Sequence, residues 1–95
     1  MWAGGLQLGT FMNTDANIVY ILKSDRHVAR YYTGLTSDLE RRLEFHNAGL
    51  SRHTSTGRPW RLVAWVHFVD PARAERFERY LKTGSGRSFA GRHFR

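Results

Sequence analysis

Tyr20, Tyr32, Arg42, His46 and Glu78 carry, between them, the groups that phosphodiester hydrolysis calls for. That chemistry needs an activated water, positive charge on the non-bridging oxygens and relief for the leaving oxygen. Phenol and imidazole can hold or pass a proton, and a guanidinium matches phosphate oxygens as a fork. A phenol near its free pKa of about 10 is a weak base at neutral pH unless neighbouring positive charge depresses it. Singly, each residue has a plainer use as a strand aromatic, a solvated helix arginine, a structural histidine or a surface carboxylate. Only their joint arrangement argues for chemistry.

Two short β-rich runs hold the tyrosines, Ile18 to Leu22 and Tyr31 to Thr36, and the polar stretch Lys23 to Arg30 between them predicts a hairpin. Alternation puts Tyr20 on one face with Ile18 and Leu22, and Tyr32 on one with Gly34, so a suitable register lets the phenols meet. Ser37-Asp38-Leu39-Glu40 reads as a capping box with Ser37 as N-cap, opening a helix that ends near Asn47-Ala48-Gly49. Leu39, Leu43 and Leu50 form its apolar stripe, with Arg42 and His46 together along the edge and Glu40, Arg41 and Glu44 outward. The loop GLSRHTSTGRPW leads to RLVAWVHFV, whose long apolar content predicts the central strand. Trp60 and Trp65, beside or within that strand, are expected in the core. Asp70-Pro71 starts a second helix running to Gly84, with Ala74, Phe77 and Leu81 buried and Glu78 at their margin. The tail GSGRSFAGRHFR predicts a short closing helix.

The chain has 95 residues with 41% hydrophobic and 14% aromatic content, which predicts one folded domain with one modest core. Residues 1–16 show no period and are expected to form a loosely held leader before a domain over 17–95; the functional chain is expected to start after Met12. Fifteen Lys plus Arg against eight Asp plus Glu give a net charge of +7, a field suited to polyanions. Only Lys23 and Lys82 are lysines, and an arginine bias favours phosphate recognition. The absence of cysteine excludes disulfides, thiolate zinc sites and cysteine nucleophiles. His27, His53, His67 and His93 lack the spacing of a zinc site. Neither a membrane-length apolar run nor a signal peptide is evident, so a cytoplasmic location is expected.

The succession Val19-Tyr20-Ile21, Tyr32-Thr33-Gly34, then Thr36-Ser37-x-Leu39-x-x-Arg42-Leu43-x-x-His46-Asn47-x-Gly49 resembles the signature of the GIY-YIG nuclease superfamily. Arg58-Pro59-Trp60, Phe77 to Lys82 and Gly84 to Arg87 resemble later blocks of its stand-alone bacterial members, so the likeness covers residues 17 to 94. Ile18 replaces the first glycine and Thr33 the isoleucine, leaving both tyrosines and Gly34 in place. The resemblance implies an α+β fold, a three-stranded antiparallel sheet flanked by helices. It implies an endonuclease acting on DNA with one Mg²⁺ or Mn²⁺ held by Glu78. By the same likeness Tyr20 helps deprotonate the attacking water, Tyr32 orients it or a phosphate oxygen, Arg42 neutralises charge, and His46 bonds Tyr20 or a phosphate oxygen. Arg52, His53, Thr54, Arg58, Lys82 and Arg87 could grip the sugar-phosphate backbone. Related nucleases usually carry a second domain that selects the target, which leaves substrate preference open here; the leading expectation is cleavage at branched or damaged DNA rather than at a sequence. The alternatives are a non-catalytic nucleic-acid-binding module on the same fold and an adaptor docking a protein partner that supplies specificity.

Overall fold

A computed structural model describes residues 16–95. The leader expected over the first residues, and the start of the functional chain after Met12, fall outside the described residues apart from Ala16. Three strands form an antiparallel sheet: β1 (Ile18–Ser24), β2 (Tyr31–Thr36) and β3 (Trp60–His67). Their order is β2-β1-β3, with β1 in the centre. The helices are α1 (Leu39–Asn47), α2 (Pro71–Leu81) and α3 (Gly84–His93), with a short 3₁₀ turn over Ser55–Gly57. The expected α+β fold with a flanked antiparallel sheet is what the chain adopts.

The sheet is covered on both faces. On one, Val19, Ile21, Ala74, Leu81 and Ala90 are buried and pack with Phe77, Phe89 and Phe94 of α2 and the C-terminal segment. On the other, Tyr20, Leu22 and Trp60 pack with Tyr32, Leu39, Leu43 and Leu62. Alternation along β1 therefore feeds two cores, which is why its run is apolar at successive positions and why it sits in the middle.

The strand expected in the centre, β3, is an edge. Only its first residue, Trp60, is buried, and Trp65 is 57% exposed, so the expectation of a core Trp65 fails while that for Trp60 holds. A register shift between Ile21 and Leu22 bulges the pairing of β1 with β3. Apolar content alone did not separate a half-covered edge strand from a central one.

Helix α1 begins one residue later than the capping box implied. Asp38, extended at φ −143°, ψ 98°, accepts from the Arg41 backbone N–H and is the N-cap in place of Ser37. Its charge also suits the positive end of the helix. Gly49, at φ 78°, terminates α1 in the left-handed region. The turn that follows carries Leu50 out to solvent, 67% exposed, and so removes it from the expected stripe. At α2, Asp70 caps through the Ala72 N–H, with Pro71 in the first turn. The closing helix is present, capped by Thr83.

Candidate active site

The pairing of β1 with β2 sets the two phenols. Tyr20 lies opposite Gly34, and Tyr32 opposite Leu22, two residues along the same face. The Tyr20 ring crosses over Gly34 so closely that any β-carbon there would run into the phenol. With nothing between them, the Tyr20 and Tyr32 rings approach to 6.2 Å between centres.

Helix α1 delivers the next two groups from above. Tyr20 Oη is 2.8 Å from His46 Nε2, and Arg42 Nε donates to the same Oη at 3.4 Å. The His46 ring also stands 4.9 Å from that of Tyr32. His46 has no exposed surface, and its other ring nitrogen, Nδ1, is 2.8 Å from Thr54 Oγ1, also wholly buried. Tyr20, His46 and Thr54 thus form one buried chain of hydrogen bonds whose outer end meets Arg42.

Both titrating groups in this chain are held neutral. Burial pushes the Tyr20 phenol up to about 12, against the downward pull of the Arg42 hydrogen bond, with the charges of Tyr32 and Glu78 adding to the rise. The depression expected of Arg42 is present and is outweighed by desolvation. Burial, and then the Arg42 charge, lower His46 to about 4.

Glu78 comes from α2, at the margin of its buried stripe. Its side chain is only 14% exposed, and Lys82, one turn on, places Nζ 2.6 Å from Oε2. The same Nζ stands 6.0 Å from the centre of the Tyr32 ring, which brings the Glu78–Lys82 pair near Tyr32, and the Glu78 charge is felt at Tyr20. Among the described residues no group of three or more His, Cys, Asp or Glu could hold a metal. A lone carboxylate beside an open basic edge fits an ion of the Mg²⁺ kind, which takes one or two carboxylates and fills its shell with water and substrate phosphate.

The expected backbone-gripping residues divide. Arg52, His53, Arg58, Lys82 and Arg87 are exposed, whereas Thr54 is buried beneath His46 and has no surface to offer a phosphate. The segment that carries Arg52, His53 and Arg58 is tied down. Trp60 Nε1 donates to Thr54 O at 2.8 Å, Ser24 Oγ to Gly57 O at 2.6 Å, Arg30 to His53 O at 3.1 Å, and Arg58 Nε to Ser55 O at 2.9 Å. Asn47 adds a two-way clasp, donating to Trp60 O at 2.9 Å and accepting from its N–H at 2.7 Å, which fixes α1 to β3. Thr54 and Asn47 were not singled out as positioning residues in the sequence, and neither lies on a periodic pattern that would reveal them. The Glu78–Lys82 pair was legible in principle from its i, i+4 spacing.

A neutral imidazole, a phenol and a guanidinium are in contact on a basic molecule, an arrangement chemically suited to receive an anionic ester. A family model described as the GIY-YIG catalytic domain matches residues 16–91. The chain belongs to this family of catalytic domains. It is 37% identical over 79 residues to the protein named structure-specific endonuclease subunit SLX1 of Meyerozyma guilliermondii, a match covering 76% of this chain and 26% of that relative. It is 39% identical over 67 residues to a UPF0213 protein of Clostridium perfringens, covering 70% of each. The chain thus spans about a quarter of the yeast relative's length. No solved structure matches at comparable significance.

Proposed function

We propose that the domain hydrolyses phosphodiester bonds of DNA with the help of one divalent ion, and prefers branched or damaged DNA to a sequence. The observation that carries this is the hydrogen-bonded contact of Tyr20 with both His46 and Arg42, at 2.8 and 3.4 Å, beside Tyr32. The name of the yeast relative, a structure-specific endonuclease subunit, supports the preference for structure over sequence and a protein partner that selects the target.

A phenol held near 12 does not supply tyrosinate at neutral pH. Tyr20 serves instead as a relay. Arg42 Nε donates to Oη, so the phenol hydrogen is directed to His46 Nε2, and Nδ1–H donates to Thr54 Oγ1. As a water attacks phosphorus, it passes its proton to Oη while Oη passes its own to Nε2. The incoming phosphate adds negative charge beside His46, which raises its affinity for that proton. Tyr32 holds the water or a phosphate oxygen. Arg42 faces the developing charge with its remaining N–H groups. Glu78 would hold the Mg²⁺ or Mn²⁺, which when bound acts as a Lewis acid on a phosphate oxygen and stabilises the leaving oxygen. Arg52, His53, Arg58, Lys82 and Arg87 bind flanking phosphates.

The test is nicking of supercoiled plasmid and cutting of a branched oligonucleotide beside its linear duplex. The expected result is Mg²⁺- or Mn²⁺-dependent cleavage, faster on the branched substrate, abolished by chelator and by Glu78→Ala. Cleavage that survives both changes would contradict the mechanism. DNA retained with steep salt dependence and no product would select a binding module instead.

A further inference from the structure

Along the outer edge of β2 lies a hollow, about 400 Å³ in volume, walled by Arg30, Tyr31, Tyr32, Lys82, Arg87 and Arg95 among others. It shares Tyr32 and Lys82 with the candidate active site, but Tyr20, Arg42, His46 and Glu78 are not among its lining. No acidic side chain lines it either. Gathering cations round one space costs about 1 kcal/mol per pair at 4 Å in water and more at a protein surface, unless an anion lies among them. Lys82 has Glu78 as a partner, whereas among the described residues Arg30, Arg87 and Arg95 make no salt bridge.

Two of the guanidinium groups are already held. Arg30 is fixed by donating to Thr56 Oγ1 at 3.0 Å and His53 O at 3.1 Å. Arg95 lies over the Tyr31 ring, 4.5 Å from its centre. A preset cation loses less side-chain entropy when an anion arrives, and the arginine fork suits phosphate in particular. We propose that this hollow is a second phosphate subsite, which seats a phosphate next to the one being cleaved and so registers the strand across Tyr32. The proposal rests on the reading of the domain as a nuclease. An internal phosphodiester and a terminal phosphate share the required chemistry.

The test pairs Arg87→Gln/Arg95→Gln with oligonucleotides of the branched substrate in which one phosphate at a time near the cut is an uncharged methylphosphonate. In the unaltered protein, one flanking position should raise KM about tenfold, the equivalent of about 1.4 kcal/mol. The double variant should raise KM by a similar factor on the fully charged substrate, with no further loss at that position. If removing a 5′-phosphate reproduces this non-additive pattern, the ligand is a strand end; if only an internal methylphosphonate does, it is the continuous backbone. Unchanged KM in the double variant, or losses that add at every position, would overturn the subsite. The same cycle read as Kd by fluorescence anisotropy decides the subsite even if no substrate is cut, and absence of cleavage counts against the nuclease reading alone.

Discussion

Tyr20 is surrounded by an imidazole and a guanidinium that constrain its proton, a second phenol beside its ring, and a glycine that leaves the ring room. If it works as a relay, Tyr20→Phe keeps the ring and loses only the hydroxyl. The single-turnover cleavage rate should fall by roughly 10²- to 10⁴-fold, the usual range for losing a positioned proton-transfer group. Stability should fall by about 1–3 kcal/mol because His46 is left without its buried partner; a rate within threefold of the original would count against the relay. His46 allows a separate check. Its folded pKa, about 4, lies below its ordinary 6.5, so the fold favours the neutral ring. That contribution is present above about pH 6.5 and is lost as pH falls towards 4. Urea unfolding midpoints should therefore decline across this window, and the decline should be shallower in His46→Gln. Equal slopes in the two proteins would mean that the imidazole is not held neutral.

At the scale of elements, α3 depends on one close approach. Gly86, in its first turn and buried, faces the Tyr80 and Leu81 backbone of α2, and a β-carbon there would collide with main chain that cannot rotate away. Gly86→Ala should destabilise the protein by about 1–3 kcal/mol by overpacking, seen as a lower Tm; an unchanged Tm would show that α3 can shift. The sequence made most elements legible, because hairpin, caps and helical stripes are local signals. The meeting of Tyr20 with Tyr32 and of Arg42 with His46 was legible for the same reason, from strand alternation and i, i+4 spacing. What escaped was non-local. The rank of β3 at the sheet edge depends on which strand pairs with which, and its apolar run reflects partial cover on two faces, with Trp65 left outside. The N-cap passed from Ser37 to Asp38 because both side chains suit the role and backbone angles decide. Thr54 reads as an exposed loop hydroxyl in a Ser/Thr/Gly-rich stretch, and only the folding of that loop beneath α1 turns it into the partner of His46.

The whole molecule places its helices on both faces of a small sheet and leaves β2 as the edge where the candidate site and the cationic hollow meet. Among the described residues no helix is long and apolar enough to cross a membrane. The +7 net charge explains attraction to a polyanion at long range, but it does not explain cleavage. The proposed cleavage requires that side chains from β1, β2, α1 and α2 share one concavity able to take an ion. The most direct measurement is an anomalous difference map from a crystal soaked in Mn²⁺. A peak is expected about 2.1 Å from a Glu78 carboxylate oxygen, on the side facing Tyr20 and Tyr32, with water completing the shell of the ion. A peak bound elsewhere, or none beside Glu78 at saturating Mn²⁺, would contradict it.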